Sequence, residues 1–382
     1  MLPKAPKVPS MKRIGIDARL LNYRRGMGNV LYNYLSQLAI LPPEFEYVLF
    51  TDSPATRLPF SLPEHFHIVP MQPGFYPFWE QVLLPKKAHK LGVNLLHCLA
   101  NTGPLFLPSN IKLVVTINDV MFLLPQHQLP GSRVLFQQLG RIYRSFVVPK
   151  VARRADKIIT ISQYSKSDIL RLIDVPSTKV EVAYLAPGVR SNTNTFATQP
   201  LPEIPYLMAL GATDPRKNTR LVMEVFARLS RDGRFAGQLR LVGLPEKYSA
   251  ELRELAQTLK IESQVLFYDF VSESELAHLY HGSTAFLYPS LYEGFGLPVL
   301  EAMSYGAPVI TSNTTSIPEV AGDAALLVNP TSADELYSAT SQLLSNPDLR
   351  QQLIQRGYAQ AARFSWQEMT HAYLALYREV LE

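Results

Sequence analysis

The sequence predicts an α/β protein of two Rossmann-like domains, each a doubly wound parallel sheet, facing one another across a deep cleft. Three observations carry this expectation. Short apolar runs of strand length alternate with helical stretches from Lys12 onward, the pattern of a parallel sheet covered on both faces. The alternation breaks once, in a stretch rich in Pro, Ser, Asn and Thr, and then restarts over a segment of similar size. The chain has 382 residues, more than one core usually holds and about right for two.

The first ten residues carry Lys4 and Lys7 but no apolar stretch, and read as a proline-rich tail and not a secretory leader. Arg13–Ile16 is the first strand, residues 26–29 a glycine loop and Val30–Ala39 a helix. Further strands are expected at Tyr47–Thr51, Val93–Cys98, Leu113–Ile117, Lys157–Ile161 and Val180–Tyr184. Residues 186–201, with Pro187, Gly188 and Pro200, form the linker. Beyond it come strand Tyr206–Leu210, helix Arg220–Ser230, strand Leu239–Val242, helix Ala250–Leu259, strand Val265–Phe267 and helix Glu273–His281. Strand Ala285–Tyr288, a helix opening at Pro298 and strand Val309–Thr311 follow. The first domain is therefore placed at 1–190 and the second at 191–363.

Composition narrows the function. Hydrophobic residues make up 47% and charged residues 18%, so the chain folds. A single cysteine, Cys98, cannot form an internal disulfide, and a reducing cytoplasm is the expected compartment. No apolar run reaches 18 residues, so no spanning helix is expected. The net charge of +5 suits anionic partners such as phosphates and lipid headgroups. No nucleic-acid motif accompanies it, and nucleic acid is not an expected partner. Between 131 and 157 lie Arg133, Arg141, Arg144, Lys150, Arg153, Arg154 and Lys157 against Asp156 alone, interleaved with Leu139, Ile142, Tyr143 and Phe146. Such a segment is either a solvated basic helix face or a peripheral contact with an anionic membrane.

In open parallel sheets ligands bind beyond the carboxyl ends of the strands, so the loops after strands are where chemistry is sought. The sharpest is Glu293-Gly-Phe-Gly-Leu-Pro-Val-Leu-Glu301. Gly294 and Gly296 let backbone approach a ligand, and Pro298 suits a helix start. The bare N–H groups there form an anion site. Glu293, and Glu301 in the expected first helical turn, could accept from paired sugar hydroxyls; the same residues would also suit a structural glycine turn. Gly211-Ala-Thr-Asp-Pro-Arg-Lys-Asn218 places Arg216 and Lys217 at a helix start, where cations are disfavoured unless an anion sits nearby. A diphosphate is the natural anion; two solvated surface cations are the alternative. Gly26 and Gly28 could cradle phosphate or acceptor or simply shape a turn. Position 31 is Leu, so the dinucleotide fingerprint is missing and a nicotinamide dehydrogenase is disfavoured. Asn118 and Asp119 end the Leu113–Ile117 strand facing the cleft, or act as a turn pair. Ser162 reads as a helix cap that could also touch ligand. His97 and His127 read as packing or surface residues, and no spacing suggests a metal site.

Together these residues resemble glycosyltransferase family 4, the retaining GT-B enzymes, over nearly the whole chain from Met11. Glu293 and Glu301 match the family's E-x7-E motif around Gly-Phe-Gly-Leu-Pro at 294–298. Asp214–Asn218, Gly15–Arg19 with Gly26–Gly28, Ile161–Ser165 and Ala186–Val189 match further landmarks. The resemblance implies that Glu293 and the backbone of Gly294, Phe295, Gly296 and Leu297 hold the donor hexose. It implies that Glu301 binds the ribose, Arg216 and Lys217 the diphosphate, and that the base lies near Phe270 and Val271, with Gly211 and Ser162 lining the site. A helix opening at Phe364-Ser-Trp366 would cross back to complete the first domain (364–382), which binds the acceptor. No metal or cofactor is needed, because the two cations replace it. The family usually has His-Asp where this chain has Asn118-Asp119. The implied activity is hexosyl transfer from a nucleotide-sugar, UDP-glucose slightly ahead of GDP-mannose, to a glycan or lipid-linked saccharide in polysaccharide assembly. A nucleotide-sugar epimerase or a non-catalytic sugar-nucleotide-binding protein are the alternatives.

Overall fold

In a computed structural model, residues 11–22, 26–53, 58, 60–71, 74–125, 135–188, 202–211 and 214–382 are described. The first sheet is built from β1 (Arg13–Asp17), β2 (Glu46–Thr51), β3 (Phe66–Pro70), β4 (Leu95–Cys98), β5 (Lys112–Thr116), β6 (Lys157–Thr160) and β7 (Val180–Val182). All neighbours are parallel, in the order β3-β2-β1-β4-β5-β6-β7. Its helices are α1 (Met27–Leu38), α2 (Tyr76–Phe78), running through a π turn (Trp79–Leu83) into α3 (Leu84–Lys90), then α4 (Leu135–Arg154) and α5 (Gln163–Leu172).

The second sheet holds β8 (Tyr206–Leu210), β9 (Gln238–Val242), β10 (Val265–Tyr268), β11 (Ala285–Tyr288), β12 (Val309–Ser312) and β13 (Ala325–Val328). It too is parallel, in the order β10-β9-β8-β11-β12-β13. Helices α6 (Thr219–Arg231), α7 (Ala250–Thr258), α8 (Glu273–His281), α9 (Leu297–Ser304), α10 (Ile317–Ala321), α11 (Ala333–Ser345) and α12 (Pro347–Ala361) belong to it. In each sheet the chain steps outward and then jumps back past its first strand. The order therefore reverses between β1 and β4 and between β8 and β11, the positions where such sheets bind ligands.

The structure adds β3 and β13, which the sequence reading passes over. Both are edge strands with mixed burial, so neither shows the continuous apolar run of a central strand. Helix α1 starts at Met27, three residues early, because Gly26 takes a positive φ of 48° and acts as its cap. Gly28 therefore lies in a helical turn and not in a loop. Most of the linker, residues 189–201, lies outside the described residues, as does His127.

The last helix, α13 (Trp366–Leu381), returns from the second sheet to the first. Tyr373 and Tyr377 are buried there beside Tyr34 of α1. The Tyr377 hydroxyl meets Tyr34 Oη at 2.9 Å and His97 Nδ1 at 2.6 Å, while His97 Nε2 meets Thr116 Oγ1 at 2.8 Å. His97 is thus a packed core residue, and burial pushes its imidazole down to about 3. Where the chain crosses between the sheets, Trp366 Nε1 donates to the Pro187 carbonyl at 2.8 Å.

Candidate active site

The loop after β8 is tightly folded. Asp214 accepts from the Arg216 backbone N–H at 3.0 Å and from its guanidinium at 2.7 and 2.9 Å. Arg216 also donates to the Tyr292 carbonyl at 3.2 Å. Burial works against the charge on Arg216, but Asp214, Glu293 and Asp119 more than offset it and raise its pKa. Asn218, at φ 57°, turns the chain into α6 and ties it to the carbonyls of Pro330 and Pro289 at 2.6 and 3.2 Å. Lys217 reaches across to the loop after β11, pairing with Glu293 at 2.6 Å and donating to the Tyr288 hydroxyl. The two cations are therefore held and partly buried, not solvated.

Glu293 Oε1 accepts three hydrogen bonds, from Lys217 at 2.6 Å, Ser290 at 2.6 Å and Tyr288 at 2.7 Å. Oε2 accepts none among the described residues. Burial opposes ionisation of Glu293, yet Lys217, Arg216 and these donors hold its carboxyl below the usual range. Gly296 caps α9 at φ 112°; a side chain there would also meet Ile317 at 2.7 Å. Leu297 is the first helical residue and Pro298 the second, one position later than expected. The N–H groups of Gly294, Phe295, Gly296 and Leu297 donate to nothing among the described residues, so a row of bare donors opens the helix. The Phe295 ring itself is buried against Tyr184 and Phe364, leaving only its backbone for the site.

Glu301 lies in the second turn of α9, because the helix begins four residues before it. Its carboxylate accepts from no donor among the described residues, and burial, with Glu273 nearby, pushes it up to about 7. Glu273 opens α8 two residues after Val271, which places Phe270 and Val271 on the same rim as Glu301. Gly211 is on this rim too, its N–H on the Val242 carbonyl at 2.9 Å, and a side chain there would meet Leu244 at 3.0 Å.

The first sheet closes the site from the other side. Ser162 caps α5 by accepting from Ser165 N–H at 2.9 Å, and also donates to the Gly294 carbonyl at 2.7 Å. Ser165 Oγ bridges the carbonyls of Gly294 and Asn118 at 2.9 and 3.0 Å. A Cβ on Gly294 would lie 2.7 Å from the Asn118 carbonyl oxygen and 3.1 Å from Asp119, so this contact requires glycine. Burial raises the Asp119 carboxyl, with Arg216 the main opposing influence. The Asn118 side chain departs from expectation. Its NH2 donates to Asn101 Oδ1 at 3.1 Å and to the Leu99 carbonyl at 3.4 Å, and its buried Oδ1 meets no donor among the described residues. Gly26 caps α1 and Gly28 lies in its first turn; a side chain on Gly26 would face open space.

Sequence reasoning missed Tyr288, Ser290, Ser316 and Glu319. Ser316-Ile-Pro-Glu319 has the spacing of a helix capping box. The structure uses it otherwise: the Ser316 hydroxyl donates to the carbonyls of Glu293 and Phe295 at 2.9 and 2.8 Å. Glu319 crosses to the first domain and accepts from the N–H groups of Gln163 and Tyr164 at 2.8 and 3.2 Å. Among the described residues no group of three His, Cys, Asp or Glu side chains is arranged to hold a metal ion.

Residues 24–186 match the family described as Glycosyltransferase Family 4, and residues 192–360 the family described as Glycosyl transferases group 1. The chain is 32% identical to an O-antigen chain mannosyltransferase B of Escherichia coli, over 72% of this chain and 73% of that protein. Its fold is similar to that of a sucrose-phosphate synthase from Thermosynechococcus elongatus, at a TM-score of 0.74 and 19% identity, over 96% of this chain and 98% of the other. It is also similar in fold to Anabaena HepE in complex with UDP and glucose, at a TM-score of 0.70 and 16% identity, over 97% of this chain and 100% of the other. With the paired sheets and these matches together, the chain belongs to the family 4 glycosyltransferases and has their GT-B fold.

Proposed function

We propose that the chain is a retaining hexosyltransferase that moves glucose or mannose from a nucleoside-diphosphate donor to a glycan or lipid-linked saccharide in polysaccharide assembly. The observation that carries this is the convergence of Arg216, Lys217 and the bare N–H groups of α9 on one point at the β8/β11 switch. That point suits a diphosphate, and stabilising its developing charge as it leaves would be the main catalytic term. Glu293, with Oε2 uncommitted, would accept a hexose hydroxyl, and Glu301 the ribose hydroxyls beside a base near Phe270 and Val271. The acceptor hydroxyl would attack from the face the diphosphate leaves, passing its proton to a leaving-group oxygen, so no enzymic nucleophile is needed. On this reading the two cations do the work of a metal. Similarity to an O-antigen mannosyltransferase favours mannose over the glucose preferred from sequence.

A peripheral contact with an anionic membrane belongs to the same reading. No described helix is long and apolar enough to cross a membrane. Residues 71–155, however, carry ten Lys and Arg against two acidic residues, Glu80 and Asp119. Glu80 is fully buried. Over the same stretch Phe75, Phe78, Phe106, Leu139, Ile142 and Phe146 are exposed. Between α3 and the loop carrying Phe106 runs a groove of about 600 Å³ with Lys86, His89 and Arg154 in its walls. Basic groups beside exposed apolar side chains suit an anionic bilayer that holds a lipid-linked acceptor.

A thermal-shift panel of UDP, GDP, ADP, UDP-glucose and GDP-mannose tests the donor site. A ligand at 100 times its Kd should stabilise by about 2.7 kcal/mol. Stabilisation by one nucleotide family is expected, lost in the Arg216→Ala/Lys217→Ala variant. Stabilisation by none of the five would sink the transferase reading.

A further inference from the structure

Among the described residues Arg144 is a cation near Asp119 and Arg216 with no hydrogen-bond or ion-pair partner. It projects from α4, the helix that follows the carboxyl end of β5, and is partly buried. Among the described residues it donates no hydrogen bond and pairs with no carboxylate. Its helix neighbours are committed otherwise: Arg141 donates to the Phe122 carbonyl at 3.2 Å and to that of Leu124, and Arg154 to the Leu107 carbonyl at 2.8 Å. The Arg144 guanidinium lies 5.7 Å from the centre of the Phe122 ring and folds back over Gly140, where a Cβ would stand 3.3 Å from Nη1. A glycine inside a helix is disfavoured relative to alanine. Here it leaves room for the charged group.

The surroundings favour an added anion. Burial works against the charge on Arg144; Asp119 favours it and Arg141 and Arg216 oppose it. Asp119 is shared with Arg216, so Arg144 does not have that carboxylate to itself. On the far side stands Tyr76, its ring covered by Arg19 at 3.9 Å, and Arg19 is already paired with Asp17 at 3.6 Å. Glu80, the other nearby acid, is taken up by Tyr76, Thr102 and Tyr143 at 2.5, 2.5 and 2.6 Å. Arg144 is thus the uncommitted cation between the Arg216 side of the cleft and the first-domain wall. The donor diphosphate already has Arg216, Lys217 and the α9 N–H groups on the second sheet, so Arg144 is placed for a different anion.

We propose that Arg144 forms an anion subsite on the acceptor side of the cleft, binding a phosphate or carboxylate carried next to the sugar that receives the hexose. The inference rests on the transferase reading and adds to it the chemical class of acceptor. The experiment uses the full-length protein with the donor at saturation and three acceptors: a neutral methyl hexoside, the same hexose as its 1-phosphate, and the matching hexuronic acid. The anionic acceptors are expected to have the lower KM. Arg144→Ala should raise that KM roughly ten- to hundred-fold, the worth of one charge-assisted hydrogen bond. kcat, the donor KM and the KM for the neutral acceptor should not change, and Arg144→Lys should recover part of the loss. The better of the phosphate and the uronate names the anion. Equal effects on neutral and anionic acceptors, or a shift in donor KM, would overturn the subsite. Calorimetric binding of the hexose 1-phosphate with the donor site filled by nucleoside diphosphate gives a second readout without turnover. Binding that Arg144→Ala leaves intact overturns the subsite even if no acceptor is elongated. Failure of the wild type to transfer to any of the three acceptors, with the hexose 1-phosphate still bound in an Arg144-dependent way, would instead count against the transferase reading.

Discussion

Glu293 commits one carboxylate oxygen to three donors and leaves the other open, which fixes both its charge and its orientation. Glu301 is its opposite, a carboxylate with no fixed donor among the described residues and a pKa raised to about 7. Mostly protonated at pH 6 and mostly ionised at pH 8, it would, in the proposed ribose role, accept from both hydroxyls only at the higher pH. Nucleotide affinity is therefore expected to climb between pH 6 and 8, by up to about tenfold per unit below 7. Titrations of wild type and Glu301→Gln at several pH values check this; a wild-type profile as flat as the variant's would remove Glu301 from the ribose site. Gly294→Ala should abolish transfer, since the new Cβ would lie 2.7 Å from the Asn118 carbonyl oxygen and force the two loops apart. Nucleotide binding in that variant, read by the thermal-shift panel, should survive if only the contact between domains is lost. Glu293, Arg216, Lys217, Gly294 and Gly296 were legible as candidates because they fall in two compact motifs, each following a strand. Tyr288 and Ser290 were not, because a Tyr and a Ser beside a strand end look the same whether or not a carboxylate folds onto them. The hydrogen bond of the Asn118 side chain depends on Asn101, which no local pattern links to it.

The strands of both sheets were legible wherever they are central, and β3 and β13 were missed because an edge strand buries only part of its surface. Ser316 and Glu319 were missed for another reason: their spacing is that of a capping box, but the structure sends both side chains away from their own helix start, to the loop after β11 and to α5. Helix α13 depends on a buried polar chain of Thr116, His97, Tyr377 and Tyr34. In the unfolded chain His97 gains a proton near pH 6.5, but in the native state only near 3. Below 6.5 the unfolded state binds more protons, so stability must fall as pH drops. At pH 5 His97 accounts for about 2 kcal/mol of that loss relative to pH 8. Denaturant melts of wild type and His97→Gln at the two pH values should show the loss shrinking by about that amount in the variant. An identical loss in both would mean that other groups carry it.

Across the whole molecule, charge is unevenly spread. Between residues 71 and 155 ten basic residues stand against two acidic ones, beside six exposed apolar side chains. The protein is expected to sediment with phosphatidylglycerol vesicles and not with phosphatidylcholine alone, to come off in high salt, and to bind less well as Phe106→Ala/Phe146→Ala. Equal recovery with both vesicle types would leave the exposed face without a membrane role. The sequence showed the basic segment but not its companions on α3 and the Phe106 loop, which only the packing of the first sheet brings beside it. The Trp366–Pro187 hydrogen bond has a mechanical consequence. The chain passes between the two sheets twice, once after Gly188 and once before α13, and this bond pins the two passages side by side. The bond holds the two passages together at one edge, so parting of the domains is expected to pivot there. Such a pivot must also pull the Gly294 carbonyl from Ser162 and Ser165 together, so on the proposed donor site nucleotide release and opening are expected as a single event.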